Sequence, residues 1–246
     1  MRRLFVPGEL AATMRITGPD AHHLMHVLRA RCGQQLTVVD EAGAAARTEI
    51  TGFTADRVEL RLLERLTEQA ESPVELVLAQ CLRKGDKMDF IVQKAVELGA
   101  IRVIPLKSAN CVVKYDGKKQ AARQEKWQRI ADEALKQCGR SRHLEVAPVM
   151  ALDEWLPLQA ADAAGAVFMC YEGEAQRPLR SYLQDMDCRR YTALIGPEGG
   201  FSPAEAEAAI QAGVQTVSLG PRILRAETAA LAALTVLQYE KGDLGN

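Results

Sequence analysis

The chain has 246 residues, 48% hydrophobic and 26% charged, with Lys+Arg 31 against Asp+Glu 32 and a formal net charge of −1. These proportions exclude a disordered chain, no apolar run reaches the ~20 residues of a membrane-spanning helix, and the length fits one large or two modest domains. The neutral total hides a basic middle: residues 1–82 carry nine basic and eleven acidic side chains, residues 83–143 fifteen and seven, and residues 144–246 seven and fourteen, giving −2, +8 and −7.

Met1-Arg2-Arg3-Leu4-Phe5-Val6-Pro7 begins basic but offers only three apolar residues before proline, too few for a signal-peptide core, so a cytoplasmic protein is expected. Arg2–Val6 reads as an opening strand. Asp20–Ala30 reads as a helix with Leu24, Val27 and Leu28 on one apolar face. Gln35–Val39, Arg47–Thr54 and Arg57–Leu63 read as strands punctuated by Gly33, Gly43 and Gly52, the pattern of a small barrel. Polar Thr67–Pro73 reads as a linker between a domain over residues 1–70 and another over 73–246.

Beyond Pro73 strands and helices alternate. Val74–Cys81 is an apolar strand, Asp86–Leu98 a helix stopped by Gly99, Ile101–Leu106 a strand, and Lys119–Gln137 a long helix with Gly139 as its cap. Ala166–Cys170, Tyr191–Ile195 and Thr216–Leu219 are further strands, and an apolar helix runs from Glu227 to Tyr239. Alternation of this kind predicts an α/β domain with a mostly parallel sheet covered on both faces. The cysteines at 32, 81, 111, 138, 170 and 188 include no C-x-x-C pair, so free thiols and no metal site are expected. His22 and His26 share a helix face but lack the glutamate of H-E-x-x-H, so an RNA-facing or structural role is favoured over metal binding.

Two segments carry the candidate chemistry. In Leu194-Ile195-Gly196-Pro197-Glu198-Gly199-Gly200-Phe201-Ser202-Pro203-Ala204-Glu205 a buried strand runs into a glycine loop, and Ser202, Pro203 and Glu205 announce a capped helix. The loop lies where open α/β sheets bind ligands. It matches neither the Walker loop nor G-x-G-x-x-G, which disfavours ATP and NAD. The loop alone leaves open whether the glycines serve a ligand or only the turn. In Leu219-Gly220-Pro221-Arg222-Ile223-Leu224-Arg225-Ala226-Glu227-Thr228 another strand end meets a helix start. Its arginines suit an anion, but as an isolated pattern the favoured reading is that Arg225 and Glu227 pair with each other or with the chain nearby.

Together GPEGGFSPAE and SLGPRILRAETAAL resemble the signature of the SPOUT methyltransferases, and with HHLMHVLR, LRKGDKMDFIVQKAVELGAIRVIPLKS, KWQRIADEALKQCGRSRHLEVAPV and the closing GDLG they resemble the bacterial 16S ribosomal RNA uridine N3-methyltransferase family over nearly the whole chain. Ala226 departs from that family's LRTET run, where threonine is expected. The resemblance implies a PUA-like β-barrel followed by a C-terminal segment threaded into a trefoil knot, and a homodimer with each active site near the interface. It implies S-adenosylmethionine held by the loops Met169–Glu172, Leu194–Gly200 and Leu219–Leu224, with Met169, Leu194, Gly196, Glu198, Gly199, Gly200, Leu219, Gly220, Ile223 and Leu224 as binding residues.

Methyl transfer demands a nucleophile held in line and a donor for charge developing on the uracil oxygens. Arg225, with Arg222, is assigned that stabilisation, and Glu227 either orients an arginine or takes the N3 proton. The resemblance implies 16S rRNA as the substrate, free or within the small subunit, and Arg2, Arg3, Arg29, Arg83, Lys84, Lys87, Arg140 and Arg142 are its expected contacts. The alternatives are another knotted methyltransferase, acting on ribose 2′-oxygen or a purine nitrogen, or an assembly factor that binds RNA without catalysis.

Overall fold

The structure, a computed structural model, describes residues 3–67, 71–113, 115–161, 165–172 and 177–245. The chain divides into two compact units, one over residues 1–71 with 135–143, the other over 72–134 with 144–246.

The first unit is built on a curled five-stranded sheet from β1 (Arg3–Phe5), β2 (Thr13–Thr17), β3 (Gln35–Val39), β4 (Ala45–Phe53) and β5 (Arg57–Leu66), ordered β1-β3-β4-β5-β2. All neighbours are antiparallel except β1 with β3. Register shifts in the β4–β5 pair, between Arg47 and Thr48 and between Ile50 and Gly52, mark the irregularities that bend a ribbon. Alternating side chains from these strands enclose Leu4, Ile16, Val38, Ile50, Val58 and Leu60. The expected helix at Asp20–Ala30 starts earlier, as α1 (Gly18–His22) with Pro19 in its first turn, then relaxes to a π-turn over His23–Val27. Leu24 reaches the core, whereas Val27 and Leu28 stay exposed, so the expected apolar stripe is only partly used.

Residues 135–143 belong with this first unit although both flanking stretches of chain belong to the second. The Glu71 carboxylate accepts Arg140 Nη2 at 2.8 Å, Arg140 Nε at 3.1 Å, and the backbone N–H groups of Ser141 at 2.8 Å and Arg142 at 2.9 Å, Lys136 pairs with Asp20 at 2.9 Å, and the His143 ring lies 4.7 Å from that of Phe5.

The second unit holds eight strands: β6 (Glu75–Cys81), β7 (Ala100–Lys107), β8 (Glu145–Val146), β9 (Met150–Ala151), β10 (Gly165–Cys170), β11 (Arg177–Pro178), β12 (Arg190–Ile195) and β13 (Gln215–Ser218). Their order is β11-β13-β10-β12-β6-β7-β8, with β9 also paired to β7, and every pairing is parallel. Residues 76–81 of β6 are all buried, and all but Gln80 are apolar, as expected of a strand covered on both faces.

Helices α2 (Lys87–Glu97), α3 (Gly117–Cys138), α4 (Leu152–Ala161), α5 (Leu179–Asp185), α6 (Pro203–Gln211) and α7 (Ala226–Lys241) connect these strands. α7 packs on β6, β12, α2 and α5 through Ala230, Ala233, Leu234 and Leu237. Trp127 of α3 is buried and donates to Asp89 of α2 at 3.0 Å. Gln128 holds the short β8, accepting from Val146 N and donating to Leu144 O, both at 2.9 Å. Two-residue strands such as β8, β9 and β11 carry no periodicity, and the sequence did not predict them.

Candidate active site at the carboxyl edge of the parallel sheet

Cys170 of β10 lies in register with Ile195 of β12 and Val217 of β13. Because the three neighbours run parallel, the segments that follow them emerge at one edge. β6 borders β12, with Gln80 opposite Ile195, so Leu82–Asp86 emerges there too. Strand order reverses between β6 and β12: β6 leads to β7 on one side, and β12 leads to β13 on the other. Connections diverging from such a switch point leave a crevice at the carboxyl ends of the strands.

The glycine loop is held from two directions. The Asn110 side-chain amide donates to the carbonyl oxygens of Gly199 at 3.3 Å and Gly200 at 3.1 Å. A Cβ on Gly199 would sit 3.1 Å from Asn110 Cβ, so the close approach requires the missing side chain, and Gly200 has φ +67°, which L side chains rarely adopt. Gly196 packs against the Phe201 ring. The capping box forms as the sequence predicts: Glu205 N donates to Ser202 Oγ at 3.3 Å, and Ser202 N donates to Glu205 Oε2 at 2.9 Å. Glu205 does more than cap, since its other oxygen accepts Ala109 N at 2.7 Å. The Cys111 thiol reaches Leu82 O at 3.6 Å, linking the loop after β7 to the end of β6.

Arg83 joins the two segments that carry the candidate chemistry. Its Nη2 donates to Glu227 Oε2 at 2.7 Å, and its Nη1 lies 3.2 Å from Glu198 Oε2. Lys84 N donates to Glu198 Oε1 at 3.4 Å, and Lys87 Nζ lies 3.4 Å from Glu227 Oε1. Burial pushes the Glu227 carboxyl up, but its own backbone N–H, the Arg83 charge and Lys87 outweigh burial and hold it below the usual carboxylate value.

This geometry corrects three expectations. Glu227 pairs with Arg83 and Lys87, not with Arg225. Arg83 is 2% exposed, so its guanidinium serves the two carboxylates and is not an RNA contact. Arg140 is likewise buried and committed to Glu71. Arg225 is the N-cap of α7, its carbonyl accepting Ala229 N at 2.8 Å. Arg222 and Arg225 are exposed, and neither side chain is paired among the described residues.

The proposed cofactor residues divide. Gly196, Glu198, Gly199, Gly200, Leu219, Gly220, Ile223 and Leu224 lie in the loops at the sheet edge, Ile223 at 81% exposure. Met169 and Leu194 are fully buried strand residues opposite one another, so their side chains belong to the core. Lys84, Arg29 and Arg142 are exposed, Arg3 is half-buried, and Arg2 lies outside the described residues. His22 and His26 contact each other with ring centroids 4.5 Å apart. Arg83 as an internal tie and Asn110 as the loop's brace were missed; the only sequence signal for them was polar residues directly after apolar strands.

A model for an RNA methyltransferase domain matches residues 70–238, and one for an RNA methyltransferase PUA domain matches residues 16–63. The chain is 34% identical to ribosomal RNA small subunit methyltransferase E of Bacillus subtilis, over 94% of this chain and 92% of that protein. The chain belongs to the ribosomal RNA small subunit methyltransferase E family.

Solved structures agree with that membership. The family's protein from Neisseria gonorrhoeae, bound to S-adenosylmethionine, superposes with a TM-score of 0.84 at 33% identity, covering 99% of both chains. A Legionella pneumophila methyltransferase with S-adenosylmethionine bound gives 0.86 at 33% identity, covering 98% of both. The curled five-stranded sheet is the PUA-like part of this family member, and the parallel sheet lies within its RNA methyltransferase match.

Proposed function

We propose that this chain transfers a methyl group from S-adenosylmethionine to N3 of a uridine in 16S ribosomal RNA, in the cytoplasm. The supporting observation is the convergence of three parallel strand ends, a glycine loop and two unpaired arginines at one sheet edge. The relatives' names and bound cofactor support the rRNA substrate and the methyl donor.

The edge fits this cofactor because it offers bare backbone beside open space: Gly200 and Gly220 hold positive φ and nothing lies within 4 Å of where a Cβ would stand, while Gly196 and Gly199 let Phe201 and Asn110 pack close behind the loop. The residues that would hold it are Gly196, Glu198, Gly199, Gly200, Leu219, Gly220, Ile223 and Leu224. When bound, S-adenosylmethionine supplies an electrophilic methyl group on a sulfonium.

The chain's own residues supply orientation and charge. Arg225, supported by Arg222, faces solvent at the start of α7 and donates to the uracil oxygens as the N3 proton leaves. Glu227 is a poor proton acceptor, since both its oxygens face cations and its carboxyl is held below the ordinary range. It anchors the start of α7, and the N3 proton passes to solvent. Lys118, Lys119 and Arg129 are exposed on α3, and with Lys84, Lys87, Arg3, Arg29 and Arg142 they supply phosphate contacts, so RNA affinity falls steeply with salt.

A second copy of the chain covers the apolar face of α7 and α2, where Phe90, Leu231, Ala232, Thr235 and Val236 line a groove with Glu227 at its rim. A knotted C-terminal segment is part of the same reading, supported by the order β13-β10-β12, in which the last strand of the chain lies beside β10.

The test is incubation of purified protein with labelled S-adenosylmethionine and undermethylated 16S rRNA or small subunits, followed by nucleoside mass spectrometry. N3-methyluridine is expected. A ribose 2′-O-methyl or methylpurine product selects the other knotted methyltransferases, and no cofactor binding by calorimetry selects the silent assembly factor.

A further inference from the structure

Among the described residues of the second unit, Arg83 is the only buried charged side chain. Enclosing a charge is costly, and an apolar side chain of similar volume commonly serves stability as well or better. The position of the guanidinium is therefore the informative fact. It lies between two carboxylates from distant parts of the chain, Glu198 of the glycine loop and Glu227 in the first turn of α7. Like charges there would repel, and a shared counter-charge fixes their separation instead. Arg83 is itself held, following Leu82, whose N–H donates to Leu106 O at 2.8 Å at the end of the central strand β6.

We propose that Arg83 is a positioning residue for methyl transfer: it sets the glycine loop and the N-terminus of α7, and through the latter Arg225, at a fixed spacing. This inference rests on the methyl-transfer reading above. The link to Arg225 is covalent and short. Glu227 is two residues beyond it in the same helix start, so whatever holds Glu227 orients the N-cap that carries the Arg225 side chain. The two arms are unequal. The Glu227 arm is a 2.7 Å hydrogen bond, while Nη1 faces Glu198 at 3.2 Å without hydrogen-bond alignment, so the helix is gripped more firmly than the loop. The planar fork is what allows one side chain to serve both carboxylates, and a lysine ammonium reaches one at a time.

The test is a double-mutant cycle on the full chain, with Arg83→Met, Arg225→Lys and the double variant, measuring kcat at saturating substrates and the Kd for S-adenosylmethionine. Arg83→Met is expected to lower kcat by about 30-fold, in the range that a misplacement of roughly 1 Å produces. It should weaken cofactor binding by only about threefold, with Arg83→Lys falling between wild type and Met in kcat. In the Arg225→Lys background the same change should remove no more than about threefold further, because the arginine it positions is already gone. Losses that multiply in full overturn the proposal, since a general loss of fold integrity acts independently of residue 225. If Arg83→Met does not fold, Glu227→Gln takes its place in the cycle, where sub-multiplicative losses support the proposal and fully multiplicative ones overturn it. A wild-type chain that transfers no methyl group overturns the underlying reading. An active wild type with a multiplicative cycle overturns the role of Arg83 alone.

Discussion

Asn110 and Gly200 are ninety residues apart in the chain, yet the Asn110 amide donates to the Gly200 carbonyl oxygen at 3.1 Å and to its neighbour Gly199 at 3.3 Å. The contact joins the loop after β7 to the loop after β12, so strands that are not neighbours shape one surface. The two bonds restrain glycines that would otherwise be free to adopt many conformations.

Asn110→Ala removes both bonds while leaving the sheet untouched. Each is worth about 1 kcal/mol at an accessible position, so S-adenosylmethionine affinity should drop by up to about 30-fold, with Tm lower by no more than a few degrees. Calorimetric titration against a melting curve separates the two quantities. Unchanged affinity means that the loop is held without this brace.

Glu71→Gln should make stability less dependent on acid. Burial pushes the Glu71 carboxyl up, but the hydrogen bond and charge of Arg140 and the N–H groups of Arg142 and Ser141 outweigh it and leave it below the ordinary value. A depressed carboxyl stabilises the fold above its unfolded pKa, about 4.3, and that contribution is lost as pH falls through the folded value. At neutral pH the variant should be less stable by about 2 kcal/mol. The gap in Tm between the two proteins should close below about pH 4. A gap constant down to the lowest pH of reversible unfolding contradicts this account.

The contrast between Ser202 and Arg83 shows where sequence reasoning worked and where it stopped. Ser202, Pro203 and Glu205 specify a helix start through contacts three residues apart, and both bonds of the box are present. Strand and helix positions in the second unit were legible for the same reason, since burial on both faces writes itself as a run such as Leu76–Cys81. Arg83 reads as one more member of a basic segment, because its partner Glu227 lies 144 residues away and a buried cation has no local signature. Arg140 reads the same way, since its partner Glu71 is also distant in the chain. Residues 135–143 meet the first unit through Glu71, Asp20 and Phe5, the first of them sixty-nine residues from Arg140, and linear order carries no trace of these contacts. The site loops were legible as motifs, while the tie among them was not.

Gly99→Ala should be among the more damaging single-methyl additions. Gly99 has φ +82°, and a Cβ there falls well inside contact distance of Gln238 Nε2, whose amide is buried and donates to Leu98 O at 2.9 Å. Backbone strain and overpacking together cost about 2–4 kcal/mol, a fall in Tm of roughly 5–15 °C. Adding Gln238→Ala should restore only part of this loss, since it removes the collision but not the strain, and it leaves Leu98 O without its donor. Full rescue in thermal melts would show that sterics alone forbid the side chain.

Arg225→Lys tests the charge-stabilising role directly. Arg225 caps α7 through its backbone, and its exposed side chain has no partner among the described residues, so substitution should leave Tm within about 1 °C, as for other unpaired surface positions. Lysine keeps the charge but presents one rotating ammonium where a planar fork meets the uracil. Loss of an aligned donor to a developing oxyanion costs about 100-fold in kcat, and the Kd for S-adenosylmethionine should stay within about twofold, because the donor acts on the base and not on the cofactor. Glu227→Gln supplies the contrast. If Glu227 anchors the helix start and accepts no proton, its variant should lose activity without shifting the pH at which the rate rises. Full turnover by Arg225→Lys, or a displaced pH–rate profile in Glu227→Gln, reverses the assignment of the two residues.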